Sequence, residues 1–429
     1  MPDKNWTRRS WLASLAAAAA AAGRQPAPPS DRVRIGLIGC GGISVADSNA
    51  FLAHRECEIA AICDVDDAMI GRTLKRLEEL GRKRPDAVKD FRRVLERNDI
   101  DVILNCTPDH WHALPTVLAF EAGKGVYVEK PLATTVWEGQ VMRDAARRHG
   151  RVAQMGTQWR SGTHWAEAVE MVRSGRLGKV RQVRCFAYLD WVTDCGNPPD
   201  EPAPAGVDYE MWLGPAPKRP FNRNRFHFHF RWFWDYAGGL MTDWGVHLIN
   251  IALWAMGPEW PRSVVASGGK YVLQDNTETP DTQMAVYEFP SYTLIWEHAV
   301  QCGLGPDRRE HGVVFTGTEA TLIVDNNGWE VIAEPKKRER VVEMRRRAPA
   351  GDNARVAHAR NFLDCVKSRQ QPVENLDVGH HVSAVAALGN IALRSKSRIE
   401  WDAQAGRVAG NEAASALLRR EYRAPWKLG

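Results

Sequence analysis

Between Val33 and Val128 the chain alternates short apolar runs with helical patterns, and few folds tolerate that alternation. Val33-Arg34-Ile35-Gly36-Leu37-Ile38 reads as a buried strand, and a helical stretch follows from about Val45 to His54. Glu58 to Cys63 is a second strand, with a helix from about Asp67 to Leu80. Asp101 to Cys106 is another strand, and Pro115 to Ala122 is helical before a strand ending at Val128. Short apolar strands separated by helices indicate parallel βαβ units, so this region is expected to be α/β and doubly wound.

At 429 residues the chain exceeds one ordinary core, and two domains are expected. After about residue 158 the strands lengthen and alternate, as in Lys179 to Leu189, Thr282 to Phe289 and Tyr292 to Ala299. Turn-rich connections such as Cys195-Gly196-Asn197-Pro198-Pro199 separate them, and helical stretches follow at about Ala354 to Ser368 and Val378 to Arg394. That pattern predicts an α+β domain on a large, mostly antiparallel open sheet. The expected division is a leader and linker over 1–32, a nucleotide-binding domain over 33–157, a substrate and oligomerisation domain over 158–402, and a tail over 403–429.

Thr7-Arg8-Arg9-Ser10-Trp11-Leu12 is a twin-arginine pattern, followed by a weakly apolar stretch from Leu15 to Ala22 and the Pro-rich Gln25-Pro26-Ala27-Pro28-Pro29. It predicts export of the folded protein to a periplasmic or other extracytoplasmic space. That segment carries Lys4, Arg8, Arg9 and Arg24 against Asp3, so the remainder of a +5 chain is left at about +2. Nucleic acid is therefore not an expected partner, and no apolar run would insert the mature chain in a bilayer. The eight cysteines show no paired spacing, and the His110/His112 and His227/His229 pairs lack a third ligand nearby, so neither disulfides nor a metal are expected.

Gly39-Cys40-Gly41-Gly42-Ile43-Ser44 lies between the first strand and its helix. Gly39 suits a tight turn, Gly41 and Gly42 let the backbone approach a pyrophosphate, and the helix N-terminus favours the anion. Ser44 replaces the third glycine. Asp64, ending the second strand, is placed to accept hydrogen bonds from the adenosine ribose and to repel a 2′-phosphate, which favours NAD over NADP. Asp66 then caps the next helix. Thr107 and Pro108, at another strand end, are placed to wall the nicotinamide ribose, with His110 beside them, while His112 reads as a helix-start structural histidine.

Two further stretches carry reactive groups. Glu129-Lys130-Pro131 follows the apolar Gly125-Val126-Tyr127-Val128, which puts Lys130 at the carboxyl edge of the sheet, where such folds bind ligands. Asp243 and His247 are four apart and share one face of a helix, where a carboxylate can orient an imidazole and raise its proton affinity. Nine of the 17 tryptophans lie between 159 and 260, and aromatic faces of that density suit sugar rings.

Taken together, the Gly39–Ser44 loop, Asp64, Thr107-Pro108, Glu129-Lys130-Pro131 and Gly238-Gly239 with Asp243 and His247 closely resemble the glucose–fructose oxidoreductase / inositol dehydrogenase / MocA family (Gfo/Idh/MocA). The resemblance runs from about residue 33 to Trp401. It implies a Rossmann domain followed by an α/β domain whose open sheet mediates dimers or tetramers. The family's active-site Lys, Asp and His fall on Lys130, Asp243 and His247, and its frequent acid three residues after the His is Asn250 here. The implied activity moves a hydride between NAD and a secondary hydroxyl or ketone of a sugar, cyclitol or glycoside. His247 is then the general base, Lys130 stabilises charge on the substrate oxygen, and Asp243 orients His247 or binds a neighbouring hydroxyl. Glu129 is expected on the cofactor side, Pro131 after a cis bond, and Arg160, Trp159, Trp234 and Tyr236 against substrate. Two alternatives remain open: tightly held NAD used transiently in a glycosidase- or epimerase-type reaction, and a non-catalytic sugar or nucleotide sensor.

Overall fold

The computed structural model describes residues 32–428. The twin-arginine pattern and most of its linker lie outside the described residues.

Six short strands form the first sheet: β1 Val33–Ile38, β2 Cys57–Cys63, β3 Asp86–Val88, β4 Val102–Asn105, β5 Gly125–Val128 and β6 Ala153–Met155. Their order is β3-β2-β1-β4-β5-β6, every pair parallel. The order reverses between β1 and β4, which opens a crevice at their carboxyl ends where Gly39 and Thr107 lie. Apolar clusters cover both faces, as the near-continuous Val/Ile/Leu content of the strands demands.

The second sheet has ten strands: β7 Gln182–Leu189, β8 Ser263–Gly269, β9 Thr282–Glu288, β10 Thr293–Val300, β11 His311–Thr316, β12 Ala320–Asp325, β13 Gly328–Ala333, β14 Met344–Arg347, β15 Ile399–Asp402 and β16 Arg407–Val408. Their order is β14-β13-β12-β11-β7-β10-β9-β8-β15-β16. All pairs are antiparallel except β7 with β10. The helices Thr163–Arg173, Gly245–Met256 and Leu376–Ser395 cover one face, burying Trp165, Ile249 and Val385 in the largest core.

The chain is not a simple succession of two segments. Helix Ala354–Ser368 returns to the first sheet, where Phe362 lies 5.9 Å from both Phe51 and Tyr127. The last residues return as well: Trp426 and Leu428 pack on the cluster around Phe91 and Trp111. All eight cysteines are free and six are buried, including Cys63 and Cys106 at their strand ends. No described helix is long and apolar enough to cross a membrane.

Candidate active site

The cofactor half is built on the first βα turn. Gly39 has φ +88°, and a Cβ there would stand 2.6 Å from the Cys106 carbonyl, so only glycine fits between the two strand ends. At Gly41 and Gly42 a Cβ would meet nothing within 4 Å, because both face an open cleft. Helix Gly42–Leu52 starts at that point with no side chain among the described residues capping it, which leaves its first N–H groups for an anion. Ser44 is buried and donates to the Gly41 carbonyl at 2.7 Å, closing the turn from within.

Asp64 accepts from the Cys40 N–H at 2.7 Å and the Asp66 N–H at 3.0 Å, which fixes the carboxylate at the cleft edge. Each oxygen keeps a lone pair for a ribose hydroxyl. Asp66 accepts from Ala68 N–H at 2.8 Å and caps helix Asp67–Glu79. The cleft measures about 570 Å³ and is also lined by Ile43, Thr107 and Pro108. Phe228, Phe230 and Arg231 from the second domain close its far side. This glycine cradle, helix N-terminus and ribose-facing carboxylate fit NAD, which these residues would hold.

Lys130 joins the two halves. The Lys130–Pro131 peptide is cis, and Nζ donates to the Asp243 carbonyl at 3.0 Å and to Asp243 Oδ1. Arg231 Nε stands 3.6 Å from the other Asp243 oxygen. Burial alone would raise the Asp243 carboxyl, but Lys130 and Arg231 overcome it and hold the group well below the usual carboxylate range. Asp243 ends the short helix Gly239–Asp243, and His247 lies in the first turn of the next, Gly245–Met256, so the four-residue spacing crosses a helix junction at Trp244. Burial, reinforced by Lys130, pushes the His247 imidazole well below its ordinary value, so it is neutral. Its Nδ1 is buried without a hydrogen-bond partner among the described residues, and its ring lies 4.8 Å from that of Trp159. Trp159 is held in turn by stacking on Trp165 at 4.8 Å.

Glu129 lies under the cleft floor and is 3 % exposed. Its Oε2 accepts from the Lys130 N–H at 3.2 Å, and Arg355 stands 3.7 Å from Oε1 while also bonding Asp47. Burial and the adjacent Asp47 push the Glu129 carboxyl well up. Asp109, which the sequence reading left without a role, also lines the cleft. Burial pushes its carboxyl up to about 7, with Lys130 opposing and Asp243 adding to the rise. Its place in Thr107-Pro108-Asp109, directly after a strand end, was a usable signal.

Four expected contacts are corrected. His110 is fully buried, with Nε2 2.9 Å from the Trp212 carbonyl and its ring between Trp212 and Tyr236, so it belongs to the core. Tyr236 is buried in the same cluster. Trp234 lies under Arg394, with its backbone N–H on Glu278. Arg160 turns to Asn250 Oδ1 at 2.7 Å and Glu374 at 3.3 Å, over the Trp254 ring. Asn250 also donates to Glu374 at 3.0 Å, so the acid absent at position 250 arrives from the far end of the chain. His112 is structural, with its ring nitrogens 2.6 Å from the Pro131 carbonyl and 3.0 Å from that of Thr107.

Residues 33–157 match a family model described as "Oxidoreductase family, NAD-binding Rossmann fold". Residues 167–267 and 340–428 match "Oxidoreductase family, C-terminal alpha/beta domain", and 218–323 match "GFO/IDH/MocA C-terminal domain". A glycosyl hydrolase family 109 protein of a Shewanella species is 32% identical over 158 residues, 36% of this chain and 34% of that protein. The match thus spans about a third of that relative's length. A levoglucosan dehydrogenase solved with NADH and levoglucosan superposes with a TM-score of 0.67 at 20% identity, over 86% of this chain and 99% of that one. An aldose–aldose oxidoreductase from Caulobacter crescentus gives 0.64 at 21% identity, over 86% of this chain and 100% of that one. At such identities the likeness to these structures is one of fold.

Proposed function

The chain belongs to the GFO/IDH/MocA oxidoreductase family, and from that premise we propose that it moves a hydride between NAD and a secondary hydroxyl or ketone of a sugar, cyclitol or glycoside. The observation that carries this reading is the Lys130–Asp243 contact, which joins the cofactor cleft to the helix junction bearing His247. NAD supplies the hydride acceptor or donor, and the side chains do the rest. His247, neutral and buried, receives the hydroxyl proton. Lys130 has three N–H donors and turns one to the substrate oxygen as negative charge develops there. Asp243, ionised, holds Lys130 in that position. Asp64 disfavours the 2′-phosphate of NADP.

Lys130→Ala and His247→Ala should each lower turnover at least about tenfold while leaving NAD affinity nearly unchanged. Absorbance at 340 nm across a panel of sugars reads the first quantity, and titration of NAD reads the second. Full turnover in either variant rejects the assignment.

A second reading is supported by the way the second domain closes on the adenosine side. His227 stands 2.9 Å from Asp66, and the Asp208 N–H donates to the Val65 carbonyl at 2.9 Å. Held NAD would be used transiently in a net non-redox reaction, in keeping with the glycosyl hydrolase among the relatives. Co-purified NAD and substrate turnover without net change at 340 nm are its signature. Export rests on Thr7 to Leu12: Arg8→Lys with Arg9→Lys should leave the protein in the cytoplasm, and secretion of that variant counts against it. The open sheet, with Val265, Met284 and Ile332 exposed, is the face proposed to pair subunits in a dimer or tetramer.

A further inference from the structure

A second cavity of about 470 Å³ lies away from the cofactor cleft and shares no lining residue with it. Arg143 and Arg147 reach it from helix Val136–His149, Arg173 from the end of helix Thr163–Arg173, and Arg160 from the turn before that helix. Trp254 and Trp260 form flat apolar walls, and His380 and His381 enter from helix Leu376–Ser395.

Four arginines here face one lining carboxylate, Asp377. That carboxylate is shared, 2.5 Å from Arg147 and 3.9 Å from Arg143. Behind the wall, Asp144 lies 2.9 Å from Arg143 and Glu374 3.3 Å from Arg160, which still leaves the arginines in excess. Arg173 donates to the Trp254 carbonyl and has no carboxylate partner among the described residues. Arg160 lies with its guanidinium 5.0 Å from the Trp254 ring and its side chain 12% exposed. His380, 6% exposed, makes no hydrogen bond among the described residues; burial, then Arg143 and His381, push its pKa down to about 3. Four arginines converging on one concave wall make a local positive field that favours an anion completing the set.

We propose that this cavity binds a small anion, a phosphate or carboxylate carried on a sugar-sized body. Arginine forks match either oxyanion with two parallel hydrogen bonds. The tryptophan faces match an apolar ring face, and the volume is that of a small-molecule site. The inference does not depend on the proposed hydride transfer, since the two cavities are separate.

Calorimetric titration of the full chain, saturated with NAD, with glucose 6-phosphate, glucuronate and glucose provides the test. Saturable binding of glucose 6-phosphate or glucuronate is expected, tighter than any binding of glucose and weakening as salt rises. Which of the two acids binds more tightly identifies the oxyanion. Arg147→Ala and Arg173→Ala, both on exposed side chains, should each weaken that binding about tenfold and leave NAD affinity unchanged. The proposal is overturned if neither acid binds, if glucose binds equally, or if both variants bind like the parent. It is equally overturned if Arg147→Ala lowers the sedimentation mass, because the basin would then be a subunit interface.

Discussion

Asp109 is a cleft residue whose burial moves its proton affinity into the neutral range. It is a carboxyl in a cleft with Lys130 and Arg231, yet burial outweighs both and raises it to about 7. The folded pKa lies above the unfolded one, so the stability linked to its proton is complete in acid and is lost as pH rises through the folded value. Asp109→Asn, which removes the charge and keeps the shape, should match the parent in melting temperature below about pH 4, exceed it increasingly between about pH 4 and pH 7, and hold that advantage unchanged above about pH 8. A constant offset at every pH would show that Asp109 does not titrate in that window. Legibility at this scale follows locality. Gly39, Asp64, Lys130, Asp243 and His247 each sit at the end of an element whose pattern is written in adjacent residues. Asp47, Arg355 and Glu374 do not: Arg355 meets Glu129 and Glu374 meets Asn250 only after more than a hundred residues have folded between them. His110, Trp234 and Tyr236 misled for the opposite reason, since aromatic density near reactive groups looks the same whether it lines a cleft or fills a core.

At the scale of elements, the glycines of the first βα turn separate into two roles. Gly39 is required by the fold: its positive φ and the Cys106 carbonyl exclude any side chain. Gly41 is required by what enters the cleft, because its missing Cβ points into open space. Gly39→Ala should cost about 2–4 kcal/mol of stability through strain and collision. Gly41→Ala should stay within about 0.5 kcal/mol of the parent yet weaken NAD binding at least about tenfold, since the new methyl takes the space of the pyrophosphate. Equal effects on melting for the two variants, or undiminished NAD affinity in Gly41→Ala, would contradict this division. The turn was legible because strand, glycines, helix and acid follow in unbroken order. β3 and β6 were not: three residues each carry too little periodicity to stand out. The strand expected from Lys179 begins instead at Gln182, after Gly178 turns the chain at φ +69°.

Across the whole molecule, the last twenty residues act as a clasp between domains rather than as a tail. Arg420 lies 2.7 Å from Glu138 and donates to the His110 carbonyl at 2.8 Å and the Asp235 carbonyl at 3.3 Å. Tyr422 donates to the same Glu138 oxygen at 2.7 Å. Glu138, its side chain 1% exposed, closes a capping box with Thr135 at the start of helix Val136–His149, so one carboxylate serves a helix cap and an interdomain tie. Burial would raise this carboxyl, but Arg420 and the surrounding hydroxyls hold it below its ordinary value. Arg420→Ala strands that charge in the interior and should cost about 3–5 kcal/mol, read from urea unfolding at neutral pH. Glu138→Gln combined with Arg420→Ala removes the stranded charge and should recover part of the loss. The sign with pH follows from the depressed carboxyl: the stability from the pair is present above the unfolded pKa and fades as pH falls through the folded one. The deficit of Arg420→Ala should therefore shrink in acid, where its Glu138 takes up a proton. A loss under about 1 kcal/mol at neutral pH, or one that grows in acid, would mean that the surrounding packing alone joins the chain's end to both domains.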